Sequence, residues 1–450
     1  MKSNFVLEFH EDALILSGTT GTKLKSSIIG KYYPLWWSIT SGGPSRNFQL
    51  PTSIIEVNAG TGEDFVEETK ETILASSGHC LQLKLKNANT SNLVLVLIES
   101  HDGCYYHLKQ VVKKIQNDFA LVESEGPPSQ NRSGIYLLNR DLRQSIDLFG
   151  QLKLGNSLFF FDPLLYTPWL EIERVAQSRI KTYYRTGTEF IVFLFTSDWF
   201  LGRKEMVPLP KDPDPKAWSN AESATVTKMD ELFGDRDWRP HLLRTGTASE
   251  LLTHLVNLYK SRLHHWFRYV LPLPFEPKIG QTYHLFVCSN YEAGIRITRD
   301  FYTASTGNPR YSPDNKIAYT KFRTLHPENE RSSTTRSAEW KMLWKIVRDH
   351  EEGLCDIECE DLVRIEPITE KRKASLDWLV SKGYLVPTSN ITERWLVKPT
   401  LYKVEWQKLQ THLGITRPLP LEPMRPSQFT DQGRKLSVSS NYSTSYLGDS

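Results

Sequence analysis

The chain has 450 residues, of which 55 are Lys or Arg and 52 are Asp or Glu, for a formal net charge of +3. That balance excludes a polybasic chain whose whole surface condenses on nucleic acid or anionic lipid, and leaves only a local basic face open. With 39% hydrophobic and 24% charged residues it is a folded, globular chain, and its length calls for two or three domains, because one core rarely outgrows ~250–300 residues.

Residues 5–16 read as a short hairpin or strand. Leu24, Ile28, Tyr32, Leu35 and Ile39 recur at spacings of three and four and predict a helix over 22–39, which Pro34 should end or kink. A Gly/Pro/Ser loop over 41–46 leads to an apolar strand over 53–57, a Gly60-Thr61-Gly62 turn and a helical stretch over 63–75. The unbroken run Leu93-Val94-Leu95-Val96-Leu97-Ile98 is a strand buried on both faces, as parallel sheets require. Helices are predicted over 104–115 and 137–150, and Leu158-Phe159-Phe160-Phe161 is a third strand. Thr167 reads as an N-cap with Pro168 at the first helical position of a helix to about residue 179. A fourth strand covers 190–195, residues 200–245 break the pattern as an insertion, and a helix over 251–267, a strand over 283–288 and a helix over 295–302 complete the sheet. Alternating buried strands and helices predict an α/β fold with a mainly parallel sheet.

Residues 305–334, rich in Thr, Ser, Asn, Pro and Arg, read as a linker. Beyond it, helices over 335–350, 359–364 and 369–382 precede strands over 384–386 and 395–397, the order of a winged helix-turn-helix. The tail, 406–450, is Pro/Ser/Tyr-rich and is expected to be disordered. Of the five Cys, Cys355 and Cys359 are spaced C-x3-C but lack a second pair or a nearby His, so no metal site is expected. Acids interrupt the N-terminal M-K-S-N-F-V-L-E-F-H-E-D, which is no signal peptide, and no apolar run approaches the ~20 residues that span a bilayer. A cytoplasmic protein is expected.

Three turns carry the chemistry. Glu56-x-Asn58-x-Gly60-x-Gly62 directly follows a buried strand, where a nucleotide-type sheet turns sharply and brings backbone close to a ligand. Glycine allows both, and Asn tolerates the left-handed conformation; an ordinary strand–turn–helix explains the pattern equally well. Glu99, at the next strand's end, is placed to accept hydrogen bonds from a ribose diol, or is a solvated strand-end acid. Asp162-Pro163-Leu164-Leu165-Tyr166 ends the Phe-rich strand in the manner of the D-P-P-Y of amino-group methyltransferases, in which the acid holds an exocyclic amine and the ring stacks on the base. Here Leu164 replaces the second proline and Tyr166 sits one position late; Asp-Pro is also plain turn chemistry. His254, Tyr259 and Trp266 are expected to pack or cover the sheet, and His264-His265 lacks metal-pair spacing.

Taken together, the chain resembles the three-Cys-motif partner family. The likeness starts at Thr22-Lys23-Leu24-Lys25 with Tyr32, Trp36 and Trp37, similar to the family's T-x-x-K opening helix. It continues through Glu56-Val57-Asn58-Ala59-Gly60-Thr61-Gly62, Glu99, Phe159-Phe160-Phe161-Asp162-Pro163 with Pro168-Trp169, Leu232-Phe233-Gly234 with Trp238, and Tyr283-His284-Leu285-Phe286 with Gly294. It covers about residues 22–304, with Glu56 and Asn58 standing where the family has Asp and Phe.

The resemblance implies a methyltransferase-like Rossmann domain over 1–304 and a winged helix-turn-helix over 335–405, in a bacterial mobile-element or phage-defence setting beside a cysteine-rich iron–sulfur partner. Glu56, Asn58, Gly60, Gly62 and Glu99 would then hold S-adenosylmethionine, and Asp162, Pro163 and Tyr166 the acceptor. Within the winged helix, Lys371, Arg372, Lys373 and Ser375 open the recognition helix, and Arg394 and Lys398 lie on or beside the wing, facing DNA or RNA. Against this, residues 335–405 hold 12 Lys or Arg and 13 Asp or Glu, so the unit lacks a domain-wide basic footprint. Two functions follow: methyl transfer to a nucleic-acid amine, or a non-catalytic adaptor that brings the cysteine-rich partner to DNA or RNA.

Overall fold

The computed structural model describes residues 16–41, 50–86, 90, 92–115, 134–151, 154–163, 166–182, 187–196, 210, 214–240, 248–278, 281–291, 294–295, 298, 302, 362–365, 377–387, 400–405, 407–408 and 424. Strand β1 (Leu16–Gly18) leads into helix α1 (Thr20–Thr40) through a capping box in which Thr19 and Thr22 satisfy each other's backbone amides. α1 does not end at Pro34 but continues through it to Thr40. That residue lies on the exposed face, while Leu24, Ile28, Ile29, Tyr32, Tyr33, Trp36 and Trp37 bury the other face. Packing of that aromatic face outweighs the lost hydrogen bond.

The main sheet contains β2 (Thr52–Val57), β5 (Leu93–Ile98), β6 (Gly134–Leu138), β7 (Ser157–Phe161), β8 (Thr188–Leu194), β9 (Tyr269–Lys278) and β10 (Gln281–Ser289), in the order β6-β5-β2-β7-β8-β10-β9. The first five are mutually parallel; β10 runs antiparallel to β8 and pairs with β9 as a hairpin. Counted along the sheet's own strands the order is 3-2-1-4-5-7-6, a methyltransferase-like Rossmann sheet. The order reverses between β2 and β7, the switch point outside which open α/β sheets bind ligands.

Alternate residues of each strand feed two cores. Ile55, Val57, Phe159 and Phe161 face α4 (Leu142–Gln151), α5 (Trp169–Thr182), α6 (Asn220–Phe233) and α7 (Ala248–His264). Ile54, Leu158 and Phe160 face α1, α2 (Ser76–Lys86) and α3 (Asp102–Ile115). Both faces are covered, which is why the strands read as unbroken apolar runs.

Several elements differ from the sequence reading. Residues 63–75 are not a helix but a hairpin, β3 (Glu63–Val66) and β4 (Glu71–Leu74), turned through a left-handed Lys70 and paired in parallel with β1. Residues 134–138 form β6 rather than the start of a helix, because the Ile135-Tyr136-Leu137-Leu138 run is buried on both faces. The insertion holds α6, which starts at a Ser219–Glu222 capping box and buries Val226, Met229, Leu232 and Phe233. Tyr259 and Trp266 are buried as expected, whereas His254 is exposed.

Strand β9 carries Pro272 and Pro274, which remove outward donors from this edge and so blunt it. Glu276 still donates its amide, to Met424, whose own amide bonds Pro274 and Tyr302 and whose side chain is fully buried. Met424 lies in the segment expected to be disordered, and it is docked on the sheet.

Near the C-terminus, β11 (Leu362–Ile365), β12 (Leu385–Pro387) and β13 (Thr400–Val404) form an antiparallel sheet in the order β11-β13-β12, with residues 377–381 helical. The helix expected over 359–364 is therefore a strand from 362. The other expected linker and helix positions between 303 and 376, the strand expected over 395–397, and Lys371, Arg372, Lys373, Ser375, Arg394 and Lys398 lie outside the described residues. Among the described residues no helix is long and apolar enough to cross a membrane, and no His/Cys/Asp/Glu group is arranged for a metal.

Candidate cofactor and acceptor site

Strand β2 ends at Val57, and the chain turns through Asn58 (φ 59°), Gly60 (φ 65°) and Gly62 (φ 82°). Three left-handed residues within five positions reverse the strand in a tight loop that β-branched residues would strain. In a Rossmann unit the helix starts at this loop. Here the 63–74 hairpin intervenes, and the chain returns through a hydrogen bond from the Ala75 amide to the Gly62 carbonyl (3.0 Å). The first turn of α2 then sits on the loop: the Ser77 hydroxyl donates to the Ala59 carbonyl (2.5 Å). A Cβ on Gly78 would press into the Gly62 carbonyl oxygen, so only glycine permits this approach.

Glu99, at the end of β5, is buried and fastens the loop. One oxygen accepts from the Gly60 amide and the other from the His101 amide, both at 2.8 Å. Burial raises its pKa above the ordinary carboxylate range. The Ser100 amide acts on the same carboxylate, so the local backbone engages it on both oxygens.

Glu56 lies elsewhere than expected. It is fully buried on the α1/α2 side, accepting from the Tyr33 hydroxyl and from Ser76 (3.0 Å), and burial pushes its pKa up to about 8. It braces the end of β2 from beneath and does not line the cleft.

A cleft of about 240 Å³ opens at the switch point, between the turn after β2 and the loops after β6 and β7. Val57, Asn58, Asp141, Arg143, Tyr166, Thr167 and Glu171 form much of its wall, whereas Gly60, Gly62, Glu99 and Asp162, like Glu56, stand outside its lining. Arg143 pairs with Glu171 at 2.5 Å, and the half-buried Tyr166 donates its hydroxyl to Glu231 at 2.7 Å. Thr167 is 4% exposed and its hydroxyl has no hydrogen-bond partner. It is therefore not the expected N-cap: α5 begins one residue later, with the Pro168 carbonyl accepting from Ile172 and Glu171. Trp169 packs edge-on against Tyr259 in the core and leaves the cleft open.

Asp162 follows β7, its amide donating to the Val57 carbonyl (3.3 Å), which places it beside the glycine turn; Pro163 behind it is buried. Its carboxylate is bound by Lys25 of α1, with Nζ at 2.7 and 2.6 Å from the two oxygens and both side chains largely buried. The Lys25 ammonium also lies 4.9 Å from the Phe193 ring centroid. Asp64 stands in the same field: burial, against the pull of Lys25 and with a smaller push from Asp162, lifts its pKa to about 7. Sequence reasoning named neither Lys25, beyond its place in the T-x-x-K run, nor Thr167 as a site residue.

No family model matches the chain, and no curated protein matches it. Among solved structures it is similar to Trm1 from Pyrococcus horikoshii in complex with S-adenosyl-L-methionine, at 13% identity over 90% of this chain and 96% of that one, with a TM-score of 0.35. It is also similar to the methyltransferase domain of the bacterial CtHen1 (10% identity, 59% of this chain and 99% of that one, TM-score 0.28). The plantazolicin methyltransferase BpumL in complex with SAH is similar at 8% identity over 60% of this chain and 86% of that one, with a TM-score of 0.23.

Proposed function

We propose that the chain is an S-adenosylmethionine-dependent methyltransferase of the three-Cys-motif partner type, acting on an amine of a nucleic acid. The observation that carries this reading is the cleft at the switch point, whose wall includes Val57 and Asn58 of a left-handed turn that is tied through Gly60 to the buried strand-end acid Glu99. The residues fit the cofactor: the Thr167 hydroxyl is buried in the cleft wall without a partner, and buried polar groups ordinarily have one. At about 240 Å³ the cleft is smaller than the ~300–1,000 Å³ of most ligand pockets, so a cofactor of this size would fill it and extend along the turn.

When bound, S-adenosylmethionine supplies an electrophilic methyl group on a cationic sulfur. The chain's own residues do the rest. Gly60 and Gly62 keep side chains out of the way of close backbone approach, Asn58 lines the cleft, and a strand-end acid such as Glu99 suits a ribose diol. Asp162, followed by the buried Pro163, accepts the N–H of the acceptor amine and turns its lone pair outward, while the Tyr166 ring offers a stacking face. Glu56 supports the turn without touching a ligand.

The same reading divides the chain into a catalytic domain over 1–304, a linker over 305–334, a nucleic-acid-binding winged helix over 335–405 and a tail over 406–450. The β11-β13-β12 order, with a helix ahead of β12, supports a winged helix; Lys371, Arg372, Lys373, Ser375, Arg394 and Lys398 are its proposed nucleic-acid contacts. The iron–sulfur partner and the bacterial defence setting rest on the family resemblance alone.

A second reading, an adaptor without catalysis, is favoured by one observation: Asp162 is already engaged by Lys25. Calorimetry of S-adenosylmethionine on the full chain, with Glu99→Ala beside it, tests the first reading. Micromolar binding that falls at least tenfold in the variant is expected; no binding at millimolar ligand overturns it in favour of the adaptor.

A further inference from the structure

We propose that Lys25 is an internal occupant of the acceptor-amine seat on Asp162, which the amine of an acceptor must displace. The proposal rests on the methyltransferase reading above. An amine seat needs a carboxylate to accept its N–H bonds and an aromatic face to receive its positive charge. Asp162 and Phe193 supply both, and Nζ of Lys25 fills the space between them, 2.6–2.7 Å from the carboxylate oxygens and 4.9 Å from the ring centroid. Phe193 is itself held by Phe195 and Tyr283, edge-on at 4.9 and 5.6 Å, so the ring does not depend on Lys25 for its place.

The position is that of an acceptor. Asp162 adjoins the end of β2 through its amide bond to Val57, one strand from the turn that carries Asn58 and Gly60. A largely buried ion pair is a poor device for stability, because desolvation consumes most of its Coulomb energy. This one joins residues 137 apart in sequence, beside the strand ends of the switch point. A lysine on a flexible four-carbon stem can leave such a seat without disturbing the backbone that formed it.

Three ligands test the proposal by calorimetry on the full chain. S-adenosylhomocysteine places neither charge nor donor at the seat, S-adenosylmethionine places a charge without a donor, and sinefungin places a charged primary amine. In the wild type the three are expected to bind within a few-fold of one another. In Lys25→Met, sinefungin is expected to gain about tenfold over both others, equivalent to ~1.4 kcal/mol, whereas Lys25→Arg, which keeps the charge at Asp162, leaves the ratios as in the wild type. Ratios unchanged in Lys25→Met, or an equal gain for S-adenosylmethionine, overturn the proposal; the latter would mean relief of repulsion rather than a vacated seat. Binding of none of the three by wild type or variant overturns the methyltransferase reading and the seat with it. If Lys25→Met does not fold, Lys25→Gln carries the same comparison.

Discussion

Gly78 sits in the first turn of α2, where helix propensity alone favours alanine by ~1 kcal/mol. The structure predicts the opposite sign. A Cβ at this position would lie inside van der Waals contact with the Gly62 carbonyl oxygen, 3.2 Å from its carbon and 3.1 Å from Leu74 Cδ2. The obstacle is backbone, so the helix start must move rather than a side chain. Overpacking of this kind costs ~1–3 kcal/mol. The shift also strains the Ala75–Gly62 and Ser77–Ala59 hydrogen bonds, each contributing ~1 kcal/mol. Set against the propensity gain, Gly78→Ala should lose ~2–4 kcal/mol of stability. Urea denaturation followed by tryptophan fluorescence measures the loss, and calorimetry should find cofactor affinity reduced with it, because the glycine turn moves too. A variant as stable as the wild type, or more so, would refute the idea that the turn and α2 are locked by backbone contact.

At Asn58, φ is 59°, so Asn58→Gly should stay within ~0.5 kcal/mol of the wild type, while Asn58→Val should lose ~1–2 kcal/mol in the same denaturation assay. Stability should plateau between about pH 4.5 and 6.5 and fall on both sides, as thermal melts across a buffer series would show. Above it, Glu56 and Asp64, raised by burial to about 8 and about 7, hold protons that the unfolded chain has released, so stability declines as pH rises toward 8. Below it, His284 and His79, lowered by burial to about 3 and about 4, stay neutral while the unfolded chain takes up protons. Glu56→Gln should flatten the alkaline limb. Met424→Ala, which empties a fully buried site on the β9 edge, should cost ~2–4 kcal/mol; a variant that melts with the wild type would mean the segment does not dock.

Much of the sheet was legible because burial on both faces leaves an unmistakable apolar run, as in Leu93-Val94-Leu95-Val96-Leu97-Ile98. Strand β9 escaped notice for the complementary reason: its prolines read as loop, yet an edge strand tolerates prolines whose missing donors would face outward. The hairpin over 63–74 was mistaken for a helix because it lies where a Rossmann helix starts and its acidic residues show no clean alternation. What decides it is nonlocal, the parallel pairing of β3 with β1 and the left-handed Lys70. Of the site, the three turns were readable because each ends a buried strand. The direction of a strand-end acid was not. Glu56 and Val57 are neighbours in sequence, and the two-residue period of a strand sends them to opposite faces; only the packing of Tyr33 and Ser76 reveals that the acid faces away from the cleft.

The same reasoning explains why Lys25 is the least readable residue of the site and the most informative. On α1 it occupies a helix position whose neighbours Leu24, Ser26, Ile28 and Ile29 are buried, so periodicity gives no reason for a charge to lie largely buried there. Its partner is supplied by the topology: β7 returns beside β2 at the switch point and brings Asp162 under α1. Glu56 and Asp64, the other acids in this field, are pushed by burial toward their neutral forms, and the influence of Lys25 lowers both. Removing the ammonium should therefore raise their pKa values further and favour protonation of the cluster. An acceptor amine that displaces Lys25 arrives neutral with its lone pair free and gains positive charge only as it is methylated, which favours a strongly donating amine over a hydroxyl at this position.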